Sequence, residues 1–564
     1  MKFSEMKYER PDMEALKAAS EEAVKSLAEA ENAEQAKEAY DKFSKAADRY
    51  YTMFTLTMIR HSIDTTDKFY DEENEFFNEQ GPIYTDCAQN VSRALAESRF
   101  RPELEKIFGS LMFKNIDISL KAFSPEIIPE MQGENKLTAD YQKLIASAQI
   151  PFNGETLTLS QLTPYKQSCD DDIRHGAWAA ESAFYKSKEA ELDDIFDKLT
   201  ALRDKMARKM GYENYVTLGY YNMMRNDYTK EDVEKFRSAV VKYCVPVADR
   251  IYREQAKRTG VAYPLKYSDT PLNFRSGNPV PKGTAEDTLA AGKKFYTELS
   301  PETAEFINFM YDNELMDVLS RKGKAAGGYC TDIPDYKAEF IFANFNGTAG
   351  DVEVITHEAG HAFAGYTARN IYPSDNRSPT MESCEIHSMS MEFFAWKWAE
   401  DFFGDDADKY RFQHLGAALK FIPYGTMVDH FQHIVYENPK LTPEERNAEW
   451  RRLTAIYMPW IDLDGSPFYG EGRAWQRQIH IYENPFYYID YCLAQTASLQ
   501  FWALMQEDYA DAWQRYLKLV NCGGTKTYSQ LIAVAGFDSP FGDEALRKVA
   551  EAAEKWLDSH PIAE

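Results

Sequence analysis

The sequence predicts a mainly α-helical protein with one small β element beside its most distinctive motif. Three observations carry that expectation. Long stretches rich in Ala, Glu, Lys and Leu space their apolar residues three and four apart, the period of one helix face. Only short segments alternate as strands do. And "DVEVITHEAGHAFAGYTARN" (351–370) sets two of the chain's 10 histidines four positions apart in a helical pattern.

The 564 residues are 44% hydrophobic and 14% aromatic, ample for a sizeable core. A formal net charge of −26 disfavours nucleic acid and anionic membranes as partners. The first 20 residues carry charges throughout, so no secretory signal is read there, and no apolar run reaches transmembrane length. Seven scattered cysteines without a C-x-x-C pair argue against a disulfide framework and against cysteine-held zinc; they fit a reducing cytoplasm.

From about 10 to 145 the pattern is one of successive amphipathic helices. No strict heptad persists, so packed antiparallel helices are expected rather than a coiled coil. At 147–163, "SAQIPFNGETLTLSQLT" places an Asn-Gly turn between short apolar runs, the signature of a hairpin. Helical pattern resumes from about 170 to 256, and "PLKYSDTPLNFRSGNPVPKGT" (264–284) reads as a loop. After a further helical stretch, "EFIFANFNG" has the content of a strand, and Gly347 and Gly350 break it before the motif helix.

On a helix, residues i and i+4 lie one above the other, so His357 and His361 present two imidazoles to one point. Thr348 or Asp351 can cap this helix, and Asn370 and Pro373 close it. Neutral imidazole suits Zn2+, and H-E-x-x-H sets Glu358 where it can reach a water at the metal. Chance alone would give the pattern in about one such chain in a hundred, so a zinc site is the stronger reading. A catalytic zinc needs a third protein ligand. Position 367 is Thr, which excludes the metzincin arrangement. Downstream, "SPTMESCEIHSMSMEFFAWKWAE" (378–400) reads as a buried helix with Glu382, Glu385 and Glu392 on one face. Geometry alone leaves Glu382 and Glu385 equivalent.

"HEAGHAFAGY" followed by "CEIHSMSMEFF", whose Glu385 stands 28 positions after His357, resembles the thimet oligopeptidase and oligoendopeptidase F family of zinc peptidases. The likeness extends back through "QIPFNGETLTLSQLTPY" and "FIFANFNGTAGDVEVITHEAGHA" and forward to "GRAWQRQIHIYENPFYYIDYCLAQ", roughly 149 to 495. It is similar in length to the shorter members, including those called Pz-peptidases. The resemblance implies two helical lobes around a deep substrate channel, short peptide substrates, Glu385 as third ligand and Glu392 as the acid beside it. It also implies that Tyr491, His480 and Tyr482 hydrogen-bond the tetrahedral intermediate. On composition alone this stretch, with Tyr487 and Tyr488, reads rather as a buried aromatic cluster, and the resemblance is what favours the functional reading. Where the family often has Ala, this chain has His387, read as a donor beside the ligand or a residue facing solvent.

Ala343 and Asn344 in "FIFANFNG" are candidate substrate-binding residues, on the expectation that this strand lies at an edge and pairs with a peptide backbone; ordinary core pairing is the equal alternative. "NCGGTKTYSQL" (521–531) is read as a mobile substrate-side loop. The other six histidines are read as structural or solvated. The chain is divided into an N-terminal helical region, 1–190, with its hairpin near 149–160, and a catalytic domain, 191–564. The expected protein is a cytoplasmic zinc metalloendopeptidase, one Zn2+ per chain, with Glu358 as general base and oligopeptides as partners. Its alternatives are a peptidyl-dipeptidase of the same family and a peptide-binding protein with structural zinc; monomer and homo-oligomer remain equal.

Overall fold

Asp12, Asn32 and Asp67 each turn a side-chain oxygen onto the first free N–H groups of a helix, and three long helices follow them: Met13–Glu29, Ala33–Ile63 and Lys68–Ala96. Apolar residues at helical spacing, such as Leu16, Ala23 and Leu27, are the ones buried. In the computed structural model, which describes residues 1–325, 327–463 and 465–562, helices continue in this way and strands are few and short. The mainly α expectation therefore holds. So does the hairpin: β1 (Ile150–Phe152) pairs antiparallel with β2 (Glu155–Leu157) around Asn153 and Gly154, both at positive φ. No helix among the described residues is long and apolar enough to cross a membrane.

The chain folds into two units, each gathered from three stretches. One takes 1–121, 280–404 and 504–536; the other takes 122–279, 405–503 and 537–564. The cut expected near 190 falls at the start of the helix Glu189–Lys209, inside the second unit.

Within the first unit a three-stranded sheet runs in the order β3 (Met316–Leu319), β5 (Ala338–Phe345), β4 (Tyr329–Ile333). β5 pairs parallel with β3 and antiparallel with β4, so "EFIFANF" is the central strand. Of the two equal readings, ordinary core pairing is the one found: β5 has a neighbour on each side, the edges belong to β3 and β4, and the edge-strand reading is set aside. The side chain of Lys324 is fully enclosed and donates to Asp317, to the Leu319 carbonyl and to the Ala343 carbonyl, fastening the β3–β4 loop over the end of β5.

The motif helix, Ala349–Ala368, begins directly after β5. Thr348 occupies the cap position, but Asp351 carries the anchoring: its carboxylate accepts from the Asn346 and Gly347 N–H groups at 2.9 and 2.7 Å. At Gly365 the helix meets β5 so closely that a Cβ would lie 2.1 Å from Glu339 Oε1. A second helix, Met381–Phe394, packs on the motif helix from the other direction.

Candidate active site

The helical period places His357 and His361 on one face of the motif helix, their ring centroids 5.0 Å apart. Glu385, one turn into the second helix, sends Oε2 to 3.3 Å from His357 Nε2 and 3.4 Å from His361 Nε2. Three donors bonded to one zinc at about 2.0–2.1 Å with tetrahedral angles stand about 3.3 Å apart, so the spacing fits the ion. Two imidazoles and a carboxylate are also the donor chemistry that zinc takes. Among the described residues this trio is the one group whose ligand atoms converge within 4.8 Å.

The helices reach that spacing because of Gly360. A Cβ there would stand 2.8 Å from the Ser388 Cα, nearer than real contacts allow, and a tight 3.0 Å from the His387 carbonyl oxygen. Glycine between the two histidines thus lets the second backbone come close enough for a short carboxylate to reach both rings.

Hydrogen bonds then orient the ligands. Glu392 Oε1 lies 2.7 Å from His357 Nδ1, so Nδ1 carries the proton and the Nε2 lone pair is turned to the convergence point. Ser388 Oγ stands 3.0 Å from Glu385 Oε2 as a donor to it. Burial pulls His357 down, but its bonds to Glu385 and Glu392 outweigh this and hold the imidazole well above its usual value. Burial likewise pushes Glu385 up, and His361 and His357 overcome it, leaving the carboxyl well below the usual range. Both shifts have one cause, the mutual attraction of these imidazoles and carboxylates in a buried place.

Glu382 is buried too, yet it lies outside the convergent trio and accepts from the Thr380 hydroxyl at the helix start. The geometry therefore separates the two glutamates that the sequence leaves equivalent. His387 does not face solvent: it is buried, its Nε2 has no hydrogen-bond partner among the described residues, and burial beside His361 depresses its pKa to about 3. Glu358, next to His357, is half-buried on the motif helix.

Ala343 and Asn344 do not fit the substrate-binding role expected of them. Ala343 is buried under Lys324, and both Asn344 side-chain hydrogens are committed, to the Ala325 and Gly327 carbonyls at 2.8 and 2.9 Å. The Gly-rich 521–531 stretch is likewise closely packed, against residues 371–378. A Cβ on Gly524 would lie 2.2 Å from the Ser378 carbonyl oxygen, and its N–H bonds Asn376. Its glycines serve close approach, and the segment they support leads into the ligand-bearing helix.

The second unit holds the other expected group. His480, Tyr487, Tyr488 and Tyr491 are half-exposed and mutually in contact, with His480 5.8 Å from Tyr491 and Tyr487 4.9 Å from Tyr491 between ring centroids. Tyr482 departs from this group, against expectation. It is fully buried, stacked on Tyr141 at 4.0 Å, and its hydroxyl donates to the Leu192 carbonyl. A phenol spent on the core has no hydrogen to offer a substrate. The five-residue helix Ile479–Glu483 points residue 482 inward while 480 faces out.

What holds this stretch escaped the sequence reading. Buried Arg203 donates to the Ile481 and Tyr482 carbonyls and to Tyr436, with Glu134 balancing its charge. Buried Arg225 donates to the Phe486 carbonyl at 2.7 Å and pairs with Asp490. Phe486 itself adopts positive φ (67°), and its ring lies where a Cβ on Gly219 would be, 2.6 Å from that position. No local pattern in the sequence joins residues 203 or 225 to 486; only a buried, unassigned arginine is legible there.

An H-E-x-x-H helix with a carboxylate delivered by a second helix, in a mostly helical frame, defines a metal-dependent peptidase. Known proteins agree. Residues 3–123 match the Peptidase M3 N-terminal domain and residues 303–551 match Peptidase family M3. The chain is 48% identical to the solved structure of PZ peptidase A with inhibitor 2, covering 99% of each chain with a TM-score of 0.95. It is 21% identical to an oligoendopeptidase F homolog of Borreliella burgdorferi over 88% of both. The oligoendopeptidase-F of Enterococcus faecium, 13% identical, shares the fold with a TM-score of 0.66, covering 97% of this chain and 96% of that one. The chain belongs to peptidase family M3.

Two predictions follow from the site's geometry. Glu385→Ala should lose stoichiometric zinc after dialysis, and Glu382→Ala should keep it, as measured by metal analysis; the reverse order would make Glu382 the ligand. Gly360→Ala should force the helices apart by a few tenths of an ångström and weaken zinc affinity by about 10–100-fold, the range for disturbing ligand orientation. Competition with a chelator measures it, and parental affinity would refute the close-approach argument.

Proposed function

We propose that the protein is a zinc endopeptidase that hydrolyses internal bonds of short oligopeptides. The observation that carries this reading is the convergence of His357, His361 and Glu385 on one point with Glu358 beside them on the same helix. The likeness to a Pz peptidase and to oligoendopeptidases supports the substrate class.

When bound, Zn2+ would polarise the scissile carbonyl and lower the pKa of the attacking water to about 7. The residues of the chain do the rest. Glu358 takes a proton from the attacking water and delivers it to the leaving amine. Glu392 keeps the proton of His357 on Nδ1, so that the Nε2 lone pair would be available to hold the metal. Tyr491 and His480 donate hydrogen bonds to the oxyanion as negative charge develops. Their half-exposed rings are compatible with that role, whereas the core position of Tyr482 is not.

Glu358→Gln should retain one zinc and lose activity on an internally quenched peptide by several orders of magnitude. A zinc-loaded variant cleaving at a tenth of the parent rate would remove Glu358 as the base. Blocking both peptide termini should leave cleavage intact, because an endopeptidase needs no free C-terminal carboxylate; loss of cleavage would indicate a peptidyl-dipeptidase. Tyr491→Phe deletes one hydroxyl and should lower kcat by about 10²–10³-fold with little change in KM. Tyr482→Phe should leave kcat near parental and lower thermal stability instead. Equal kcat for the Tyr491 variant and the parent would assign Tyr491 to packing.

A further inference from the structure

Beside His480 lies a hydrogen-bonded chain that the reaction scheme above leaves unexplained. Gln478 caps the short helix that carries His480, and its side chain turns back so that Nε2 lies 3.0 Å from His480 Nδ1. Its other end, Oε1, is 2.9 Å from the hydroxyl of Tyr424 on the long helix Ala407–Glu437. Tyr424 packs edge-on to Tyr488, which itself packs edge-on to His480, so the three elements form one contact network.

The direction of this chain follows from counting hydrogens. An amide offers donors at one end and an acceptor at the other. The Tyr424 hydroxyl has one hydrogen, and among the described residues its one acceptor is Gln478 Oε1. Turning the amide over would set N–H groups against that hydroxyl and leave its hydrogen with no acceptor. With Oε1 facing Tyr424, Nε2–H faces the imidazole, and Nδ1 must accept. A neutral imidazole carries one proton, so it resides on Nε2.

We infer that Gln478, oriented by Tyr424, is a positioning residue that locks His480 in the Nε2–H tautomer and thereby makes it a hydrogen-bond donor to the developing oxyanion. This rests on the reading of His480 given above. The opposite tautomer would oppose two N–H groups across 3.0 Å and present a bare lone pair where negative charge develops, which repels rather than stabilises. A fixed donor also needs no reorientation during reaction, and such preorganisation acts in the transition state rather than on substrate binding. Gln478 itself touches no reacting atom, which is why its effect should fall on kcat.

Neutron diffraction from crystals of the zinc-loaded parent reads the tautomer directly. A deuteron on His480 Nε2, with an amide deuteron of Gln478 directed at Nδ1, is expected; a deuteron on Nδ1 of the neutral ring overturns the inference. Gln478→Leu keeps the bulk and removes the donor. It should lower kcat about 10-fold or more, with KM within about twofold and zinc content unchanged. Tyr424→Phe should act in the same direction and less strongly, because the amide keeps its donor but loses what orients it. If Gln478 were only a helix cap, Gln478→Leu would lower the melting temperature and leave kcat at the parental value, and that result also overturns the inference. His480→Ala separates the two layers of the argument. Parental kcat in that variant would refute the oxyanion role of His480, whereas a large loss there beside a parental Gln478→Leu would refute the positioning role alone.

Discussion

A carboxylate buried between two imidazoles is the constraint on which the catalytic unit is organised. Glu385 has to leave water, a step costing several kcal/mol for an uncompensated charge, and it is held ionised by His357, His361 and Ser388. That compensation exists only if two helices touch almost backbone to backbone, and Gly360 alone on the motif helix permits this at the Ser388 Cα. The central strand β5, laid on the same helix at Gly365, and the Gly523–Gly524 turn, laid against 376–378, fix the approach from two further sides. Glycine is used here as absent volume. At Gly360 and Gly524 a side chain would meet backbone, of the helix that carries Glu385 and of the segment leading into it.

The other unit solves its positioning problem with opposite means. The stretch from His480 to Tyr491 is a short helix, a turn through Phe486 at positive φ, and the start of a long helix. Its own backbone does not satisfy these carbonyls, so Arg203 reaches in from the helix Glu189–Lys209 and Arg225 from the turn after the helix Tyr215–Asn222, while Gln432 accepts the Phe486 N–H. Regular helices hold His357, His361 and Glu385 by periodicity. Irregular chain, pinned by buried guanidinium groups, holds the half-exposed His480 and Tyr491, with charge balanced at Glu134 and Asp490.

Departures from the sequence reading share one cause. β5 looks like an edge strand because its apolar alternation says nothing about how many neighbours it has, and its Ala343 and Asn344 prove to be covered and bonded. The Gly-rich 521–531 stretch looks mobile because glycine favours both freedom and close contact, and only its neighbours distinguish them. Tyr482 and Tyr491 are alike in composition and close in sequence, yet one stacks in the core on Tyr141 and the other lies half-exposed beside His480. In each case the residue type was read correctly and its surroundings were supplied by chain far away.

By itself the sequence determined the helical class, the hairpin at Asn153–Gly154 and the pairing of His357 with His361. These depend on interactions within a few residues, where period and turn chemistry decide. It also narrowed the third ligand to two glutamates on one helix face, and family likeness selected Glu385. Only the tertiary structure decided that Glu385 converges on both histidines, that β5 is central, and that Gln478, Arg203 and Arg225 support the His480–Tyr491 stretch. Those outcomes depend on which surfaces meet across tens to hundreds of residues, and a helix or strand carries no record of its partner in its own period.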